Sequence, residues 1–264
     1  MTDRTPPERL PTREELESLF VQKHGRPETT GWSTQYRFRF GYYLPSDIYE
    51  SLVGRLVGPG CAWLDVGGGH DIFPQNPGLA RALASRCSRL VAVDPSRNVL
   101  LNEFAGERVQ SVLEDYQSDG QFDLATMRMV VEHVGDPERF AGALARLVKP
   151  GGAAVVLTVN RWAPITVVSG LVPFAWHHPI KRFFWGGVEE DTFPVHYKMN
   201  TRAELRRLFA QAGFEEQLFA RLDDLALVSR FRRLFYLDLL VWRALRRVGL
   251  GYPESCILAV FRRK

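Results

Sequence analysis

Cysteine is scarce in this chain. Its 264 residues hold only Cys61, Cys87 and Cys256, odd in number, far apart and set among apolar neighbours. That excludes a disulfide framework and zinc-type ligand spacing, and it points to a reduced, cytoplasmic compartment. Long hydrophobic runs are also missing. The most apolar window, 153–176, is interrupted by Asn160, Arg161 and Pro164, short of the ~20 apolar residues a membrane span needs. The start of the chain, MTDRTPPERLPTREELESLF, is polar and charged where an export signal would be apolar. No charge of one sign dominates: 34 basic residues against 30 acidic give a formal +4, too little to imply a nucleic-acid partner. His177 and His178 have no cysteine or carboxylate at ligand spacing, so no metal is expected. There is no internal repeat.

What the chain does contain is an alternation of helix and strand signals. Thr12 with Glu15 forms a capping box for a helix to about His24, and Ser46 is read as the cap of a second that ends near Gly58. The strand AWLDV follows, then a glycine turn, then a helix opened by Asn76 and Pro77. RLVAVD is a short β-branched run ending on Asp94, as a fully buried parallel strand would. Ser96 is read as starting another helix. RVQSVL and QFDLATM read as strands, Asp136-Pro137 opens a helix that stops at the KPGG turn of 149–152, and AAVVLTV is a fifth strand. Thr201 with Glu204 caps a helix ending at Gly213; FEEQLFARL, a long helical pattern over 228–248 and the strand SCILAVF complete the chain. Such alternation predicts an α/β domain on a mainly parallel sheet with helices on both faces.

In a sheet of that kind ligands bind at the carboxyl ends of the strands, and the first strand-to-helix turn is the usual place. Here that turn is CAWLDVGGGHD. Gly67, Gly68 and Gly69 allow a close backbone approach in torsions closed to residues with a Cβ. Asp94, at the tip of the next strand, sits where a carboxylate can accept both hydroxyls of a ribose. Glycine turns of this sort also serve plain packing. A dinucleotide fingerprint would need a third glycine where Phe73 or Pro74 stands, so that match fails.

The stretch instead resembles the first motif of class I S-adenosylmethionine-dependent methyltransferases, an acid and then glycines at alternate positions, met by Asp65, Gly67 and Gly69. VAVDPS resembles that family's second motif, LEDYQSDGQFDLATMRMVVEHV its third and fourth, and LARLVKPGGAAVVLTVN its turn before strand five. The resemblance runs over residues 62–160 and more loosely to the AGF turn at Gly213. It implies a Rossmann-like, seven-stranded α/β fold, an S-adenosylmethionine cofactor and methyl transfer. It further implies that Asp65 holds the methionine ammonium directly or through water, that Gly67 to Gly69 line methionine and ribose, and that Asp94, followed by Pro95, takes the ribose hydroxyls. Glu114 and Asp115 fall where the family often places an acid near adenine, and Met127 and Arg128 beside the sulfonium. Asp71 takes the place of a frequent third glycine, which bears on the local turn geometry and leaves it a candidate for a catalytic or substrate role.

Methyl transfer is an in-line displacement, so the protein mainly supplies proximity, and a base only where the nucleophile must lose a proton. His133 in VVEHV is a candidate base, with Glu132 beside it, and so are His196 and Tyr197; a histidine at the first of these places often only bonds backbone. Tyr42 and Tyr43 are expected to close over the donor. The insert 161–200 is rich in Trp and Phe and reads either as an α-rich lid with an apolar acceptor pocket, contributed by Trp162, Trp176 and Trp185 with Lys181 and Arg182 for an anion, or as aromatics packed on one another. The chain then divides into N-terminal helices and cofactor cap (1–60), binding core (61–160), lid (161–200) and completion of the sheet (201–264) around an inserted amphipathic helix, 229–248. On that helix Arg232, Arg243, Arg246 and Arg247 are expected on one narrow face, with Phe231, Leu234, Phe235, Val241, Trp242 and Leu245 opposite. Internal packing, a homodimer and a peripheral membrane contact are all open for it.

The leading expectation is O- or C-methylation of a small lipophilic or aromatic metabolite. A methyltransferase of RNA or protein, a noncatalytic cofactor-binding module and a nicotinamide oxidoreductase are the alternatives. MRMV stands after strand four where amino-methylating relatives carry Asn or Asp, Pro-Pro and an aromatic; that disfavours amino groups of nucleobases or glutamine.

Overall fold

The computed structural model describes residues 9–164, 166–167, 193–225 and 229–264. Seven strands form one sheet: β1 (Cys61–Val66), β2 (Cys87–Asp94), β3 (Glu107–Gln110), β4 (Phe122–Arg128), β5 (Val148–Val159), β6 (Phe214–Leu222) and β7 (Cys256–Arg263). Their order is β3-β2-β1-β4-β5-β7-β6, and β7 runs antiparallel to both neighbours. The order reverses at β1 and β4, which is where an α/β sheet opens a crevice for ligands. β1 is buried at every position, the mark of a strand covered on both faces.

Seven α-helices are described: α1 (Arg13–His24), α2 (Trp32–Phe40), α3 (Pro45–Leu56), α4 (Pro77–Ala84), α5 (Pro137–Leu147), α6 (Arg202–Gln211) and α7 (Arg232–Arg247). One face of the sheet packs Val66, Met127 and Phe261 against Leu144 of α5 and Phe209 of α6. The other packs Trp63 and Leu258 against Leu52 and Val53 of α3 and Ala80 of α4. A buried ionic cluster fixes the N-terminal helices to the binding edge. Lys23 Nζ lies 2.9 Å from both Asp47 Oδ1 and Glu50 Oε1, and Asn76, the N-cap of α4, donates to Glu50 Oε2 at 2.9 Å. Removing one member would strand its partners without solvent, the costly way to break such a cluster.

Local expectations hold where side chains cap helices. Thr12, Asn76, Asp136 and Thr201 each accept from the helix they precede. Three differ. Leu44, not Ser46, caps α3: Pro45 takes the first helical position and Asp47 turns back to accept the Leu44 N–H at 2.9 Å. Ser96 caps only a 3-10 turn, Arg97–Leu101, and β3 ends at Gln110, before the SVL of the expected strand. The KPGG segment stays within β5, whose pairing with β4 shifts register there, with Gly151 at φ 77°.

The helix expected at 229–248 is α7, but its faces divide differently. Phe235, Leu239 and Trp242 are buried against Tyr42 and the aromatic side of α2, Trp32, Tyr36 and Phe40. Three arginines stay exposed at the border of that packing: Arg232 lies over Tyr36, Arg243 over Phe40 and Arg246 over Trp242, contacts that suit guanidinium on aromatic faces. Leu234, Leu237 and Val241 are left exposed. The expected single apolar arc is corrected: the aromatics of α2 receive Phe235 and Trp242, while Phe231, Leu234 and Val241 stay outside.

Candidate active site

The turn after β1 carries two torsional constraints, one residue apart. Gly67 and Gly69 have φ of 72° and 40°, conformations that residues with a Cβ enter at a cost. A Cβ on Gly67 would run into the side chain of Val130, and one on Gly68 would come within 2.9 Å of Ala92 Cβ. Those two glycines are therefore also required by packing. Gly69 differs: the nearest atom to its missing Cβ is Asp94 Oδ2, at 3.9 Å, so the cradle is open beside that carboxylate. This is the space a cofactor's ribose needs, and the residues fit it.

Asp94 is held by backbone. The N–H of Gly69 donates to Oδ2 at 3.1 Å and that of Ser96 to Oδ1 at 2.7 Å, and these two amides anchor the carboxylate. Pro95 follows, exposed. Asn102, fully buried, donates to the carbonyls of Gly68 at 3.0 Å and Gly69 at 3.4 Å while its own Oδ1 accepts from Phe104 and Ala105. It is the residue that holds the turn from below, and sequence reasoning missed it: an asparagine in LLNEF carries no motif.

Asp65 lies buried beneath the turn. Its Oδ1 accepts the Thr126 hydroxyl at 2.7 Å, and that hydroxyl in turn accepts Trp63 Nε1 at 2.7 Å. Burial pushes its carboxyl up to about 7, against the opposing pull of the Thr126 hydrogen bond and the Arg128 charge. Glu114 is half-buried in the loop after β3, whereas Asp115 is exposed and paired with Arg139 at 3.2 Å. Asp71 is engaged locally, its Oδ2 2.9 Å from His70 Nδ1.

The carboxyl end of β4 gathers the candidate bases. Met127 is a core residue with no exposed surface: the pleat turns its side chain inward and leaves Arg128 half-buried at the strand end. Met129 has φ 55°, a strained non-glycine conformation common at functional strand ends. The Glu132 carbonyl accepts the N–H of His196 at 2.7 Å and of Tyr197 at 3.2 Å, and Tyr197 itself has φ 51°. His133 Nδ1 lies 2.9 Å from the Pro194 carbonyl. So His133, His196 and Tyr197, widely separated in sequence, meet here. The buried Glu132 carboxyl accepts from Thr158 Oγ1 at 2.8 Å, and Thr158 from Asn200 Nδ2 at 2.8 Å. Burial holds the Glu132 carboxyl above the usual range, and burial with that neighbouring charge raises the Tyr197 phenol.

Two expected cap residues are elsewhere. Tyr42 is buried, donating to the Asp223 carbonyl at 3.1 Å, accepting from Leu225 N–H at 2.8 Å and packed on Trp242. Tyr43 packs on Phe20 and Leu16. Both are claimed by the aromatic core of the N-terminal helices, which is why they do not close over the donor. Trp162 is 69% exposed and lines a cavity at the carboxyl end of β5. Trp176, Lys181, Arg182 and Trp185 lie outside the described residues. Among the described residues no cluster could hold a metal ion, and no helix is long and apolar enough to cross a membrane.

Residues 36–217 match a family described as a methyltransferase domain. A ubiquinone biosynthesis O-methyltransferase of Thiobacillus denitrificans is 33% identical over 182 residues, covering 65% of this chain and 69% of that protein. One from Escherichia coli is 34% identical over 129 residues, 47% of this chain and 50% of its own length. Several curated relatives are thus matched over only about half their length. A methyltransferase of Haloferax volcanii, solved in complex with the Trm112 methyltransferase activator, superposes with a TM-score of 0.52 at 18% identity, covering 93% of this chain and 97% of that one; at that identity the likeness speaks for the fold. With the glycine turn, the strand order and the family match together, the chain belongs to the class I S-adenosylmethionine-dependent methyltransferases.

Proposed function

We propose that this methyltransferase acts on an oxygen of a lipophilic small molecule, with His133 as the base. The observation that carries the base is the Nδ1 contact with the Pro194 carbonyl. A carbonyl only accepts, so Nδ1 carries the proton and Nε2 is left as the acceptor, the tautomer a base requires. S-adenosylmethionine, when bound, supplies an electrophilic methyl group. Asp94 would receive the ribose hydroxyls, the backbone of Gly67 to Gly69 would line ribose and methionine, Asp65 would face the ammonium through water, and Glu114 would lie toward adenine. His133 Nε2 would take the proton of the acceptor hydroxyl. Oxygen as the acceptor atom and a lipophilic acceptor are supported by the names of the relatives, ubiquinone biosynthesis O-methyltransferases. The test is methylation of 4-alkylcatechols with isotopically labelled donor, the site of the label read by mass spectrometry. Label on oxygen is expected; label only on carbon or nitrogen, or none, overturns the reading.

The same reading places the enzyme at a membrane surface. Leu234, Leu237 and Val241 form an exposed stripe along α7, continued past its end by Val248 and Leu250. At about 100° per residue Arg233 and Arg247 both fall on one side of that stripe, where they would meet the headgroups of an anionic interface in which the helix lies. Flotation with vesicles containing anionic lipid is expected to carry the wild type but not a Leu237→Glu, Val241→Glu variant. A wild type that stays unbound at low salt overturns this, and mass that grows with concentration marks the face as a contact between copies.

A further inference from the structure

Trp63 and Asp65 stand two positions apart on β1, so their side chains leave the same face of the sheet. Thr126 is the register partner of Asp65 on β4, which brings its hydroxyl onto that face. Trp63 and Thr126 expose nothing, and Asp65 is 4% exposed. Phe73 seals them from the turn side, its ring centroid 6.1 Å from that of Trp63 and 6.2 Å from that of Tyr49 on α3. We propose that Thr126, oriented by Trp63, is a positioning residue that holds the Asp65 carboxylate ionised for the ammonium of the donor. The inference rests on the proposed reading in which Asp65 faces that ammonium, and names what lets a buried carboxyl do so.

The direction of the chain follows from who can donate. An indole Nε1 only donates, so its 2.7 Å contact with Thr126 Oγ1 makes the hydroxyl the acceptor. The hydroxyl then has one proton to place. Two acceptors are in reach, Asp65 Oδ1 at 2.7 Å and the Leu64 carbonyl at 3.5 Å, and the shorter contact takes it. A chain running from Trp63 through Thr126 to Asp65 suits a carboxylate at its end. Protonation at Oδ1 would force Asp65 to donate back into Thr126 and send the hydroxyl proton to the Leu64 carbonyl, beyond the usual O–H···O range. Protonation at Oδ2, which lies 3.0 Å from where a Cβ on Gly68 would stand, would leave Oδ1 a weaker acceptor. Either way the neutral acid loses hydrogen bonding that the carboxylate keeps.

The other groups facing Asp65 do less. Burial is the largest influence and drives the carboxyl up to about 7; the Thr126 hydrogen bond is the strongest force against it, ahead of the Arg128 charge on β4, while the Asp94 charge on β2 adds to the rise. The Tyr49 phenol, raised by burial and by Asp65 itself, stays neutral. In a site sealed from water a short hydrogen bond to a charged acceptor is stronger than in solvent. Valine has the shape of threonine and would fill the same space in FDLATMR, so it is the hydroxyl, not the volume, that this position needs.

The test is calorimetric titration of S-adenosylhomocysteine at pH 6 and pH 9. It compares the wild type with Asp65→Asn, Thr126→Val, Thr126→Ser and the double variant Thr126→Val, Trp63→Phe. The double variant also removes the indole N–H that Thr126→Val would strand, and it carries the test should the single variant fail to fold. Without the hydroxyl the carboxyl is expected to rise by about one unit. Affinity in the single and double variants should then be about tenfold below wild type at pH 6 and within about twofold of it at pH 9. Thr126→Ser, which keeps the donor, should follow the wild type at both. A loss of equal size at the two pH values marks a merely structural role and overturns the inference, as does a Thr126→Ser protein as weak at pH 6 as Thr126→Val. Asp65→Asn separates this failure from that of the reading beneath it. If Asp65→Asn keeps the pH dependence of the wild type, Asp65 does not meet the ammonium and both fall; if it loses that dependence while Thr126→Val and the double variant match the wild type, only the role of Thr126 is removed.

Discussion

The two halves of the binding edge are assembled in different ways. On the β1–β2 side, Asp65, Gly67 to Gly69, Asp94 and Asn102 come from one short stretch of chain, and most of their bonds involve backbone amides or carbonyls. On the β4–β7 side, the parts arrive from far apart: His133 meets Pro194, Asn160 meets Glu254, and Tyr42 bonds the Asp223 carbonyl across 181 positions. In the proposed reading the first half takes the donor that every member of the family binds, with torsion and backbone as its means. The second would fit the acceptor, and it is made of long-range contacts.

The comparison breaks first at Asp94. If the β1–β2 half alone holds the donor, Asp94→Ala removes a charged acceptor of two hydroxyls and the anchor of the glycine turn, and donor affinity should fall about a hundredfold or more, at about 1.5–3 kcal/mol per charged hydrogen bond. Calorimetry with S-adenosylhomocysteine reads this. A fall below tenfold would mean that the donor is held elsewhere. His133→Ala should behave oppositely, with kcat down about a hundredfold and donor affinity within twofold of wild type, checked by initial rates beside the same titration. Equal losses in both would erase the division.

The same contrast explains what could be read from the chain alone. The succession of strands and helices, the glycine turn and the cap residues Thr12, Asn76, Asp136 and Thr201 were legible because each depends on residues within a few positions. Asn102 was not, since its work is done on carbonyls 33 and 34 residues away. Tyr42 and Tyr43 were expected over the donor because aromatic residues before β1 suit that place, but α2 and α7 form an aromatic core that claims Tyr42, while Phe20 and Leu16 claim Tyr43. Faces of α7 were misassigned for the same reason. Helical periodicity finds an amphipathic helix, but which of its sides turns inward is decided by the surface that receives it.

Asp65 sharpens the donor half through pH. Its carboxyl stands at about 7, raised chiefly by burial. A bound ammonium favours the ionised form, so donor binding must drive off a proton below that value and no proton above it. Affinity should then be flat above about pH 8 and fall roughly tenfold by pH 6, one unit below the carboxyl. Asp65→Asn should lose that slope. For stability the sign is the reverse of a salt-bridged acid: folding raises this carboxyl, so ionising it opposes the fold, a cost absent below the unfolded value near 4 and complete above about 7. The unliganded Asp65→Asn protein should therefore gain stability over wild type at pH 8 and not at pH 4, which thermal melts at the two pH values decide.

The smallest effects lie at the outer margin of the donor half, in the pair of acids after β3. Asp115 is exposed and engaged by Arg139, an ion pair of two largely solvated side chains, and such pairs contribute ~0–1 kcal/mol. Glu114 is half-buried one residue earlier, and a single hydrogen bond from an adenine amino group to it would contribute about 1 kcal/mol. Glu114→Ala is accordingly expected to weaken S-adenosylhomocysteine about fivefold and Asp115→Ala less than twofold. Sinefungin and adenosine, titrated in parallel, should show the same fivefold loss on Glu114→Ala, because both retain the adenine. A loss at Asp115 larger than at Glu114 would assign the adenine edge to the other acid and move the margin of the donor half one residue along the loop.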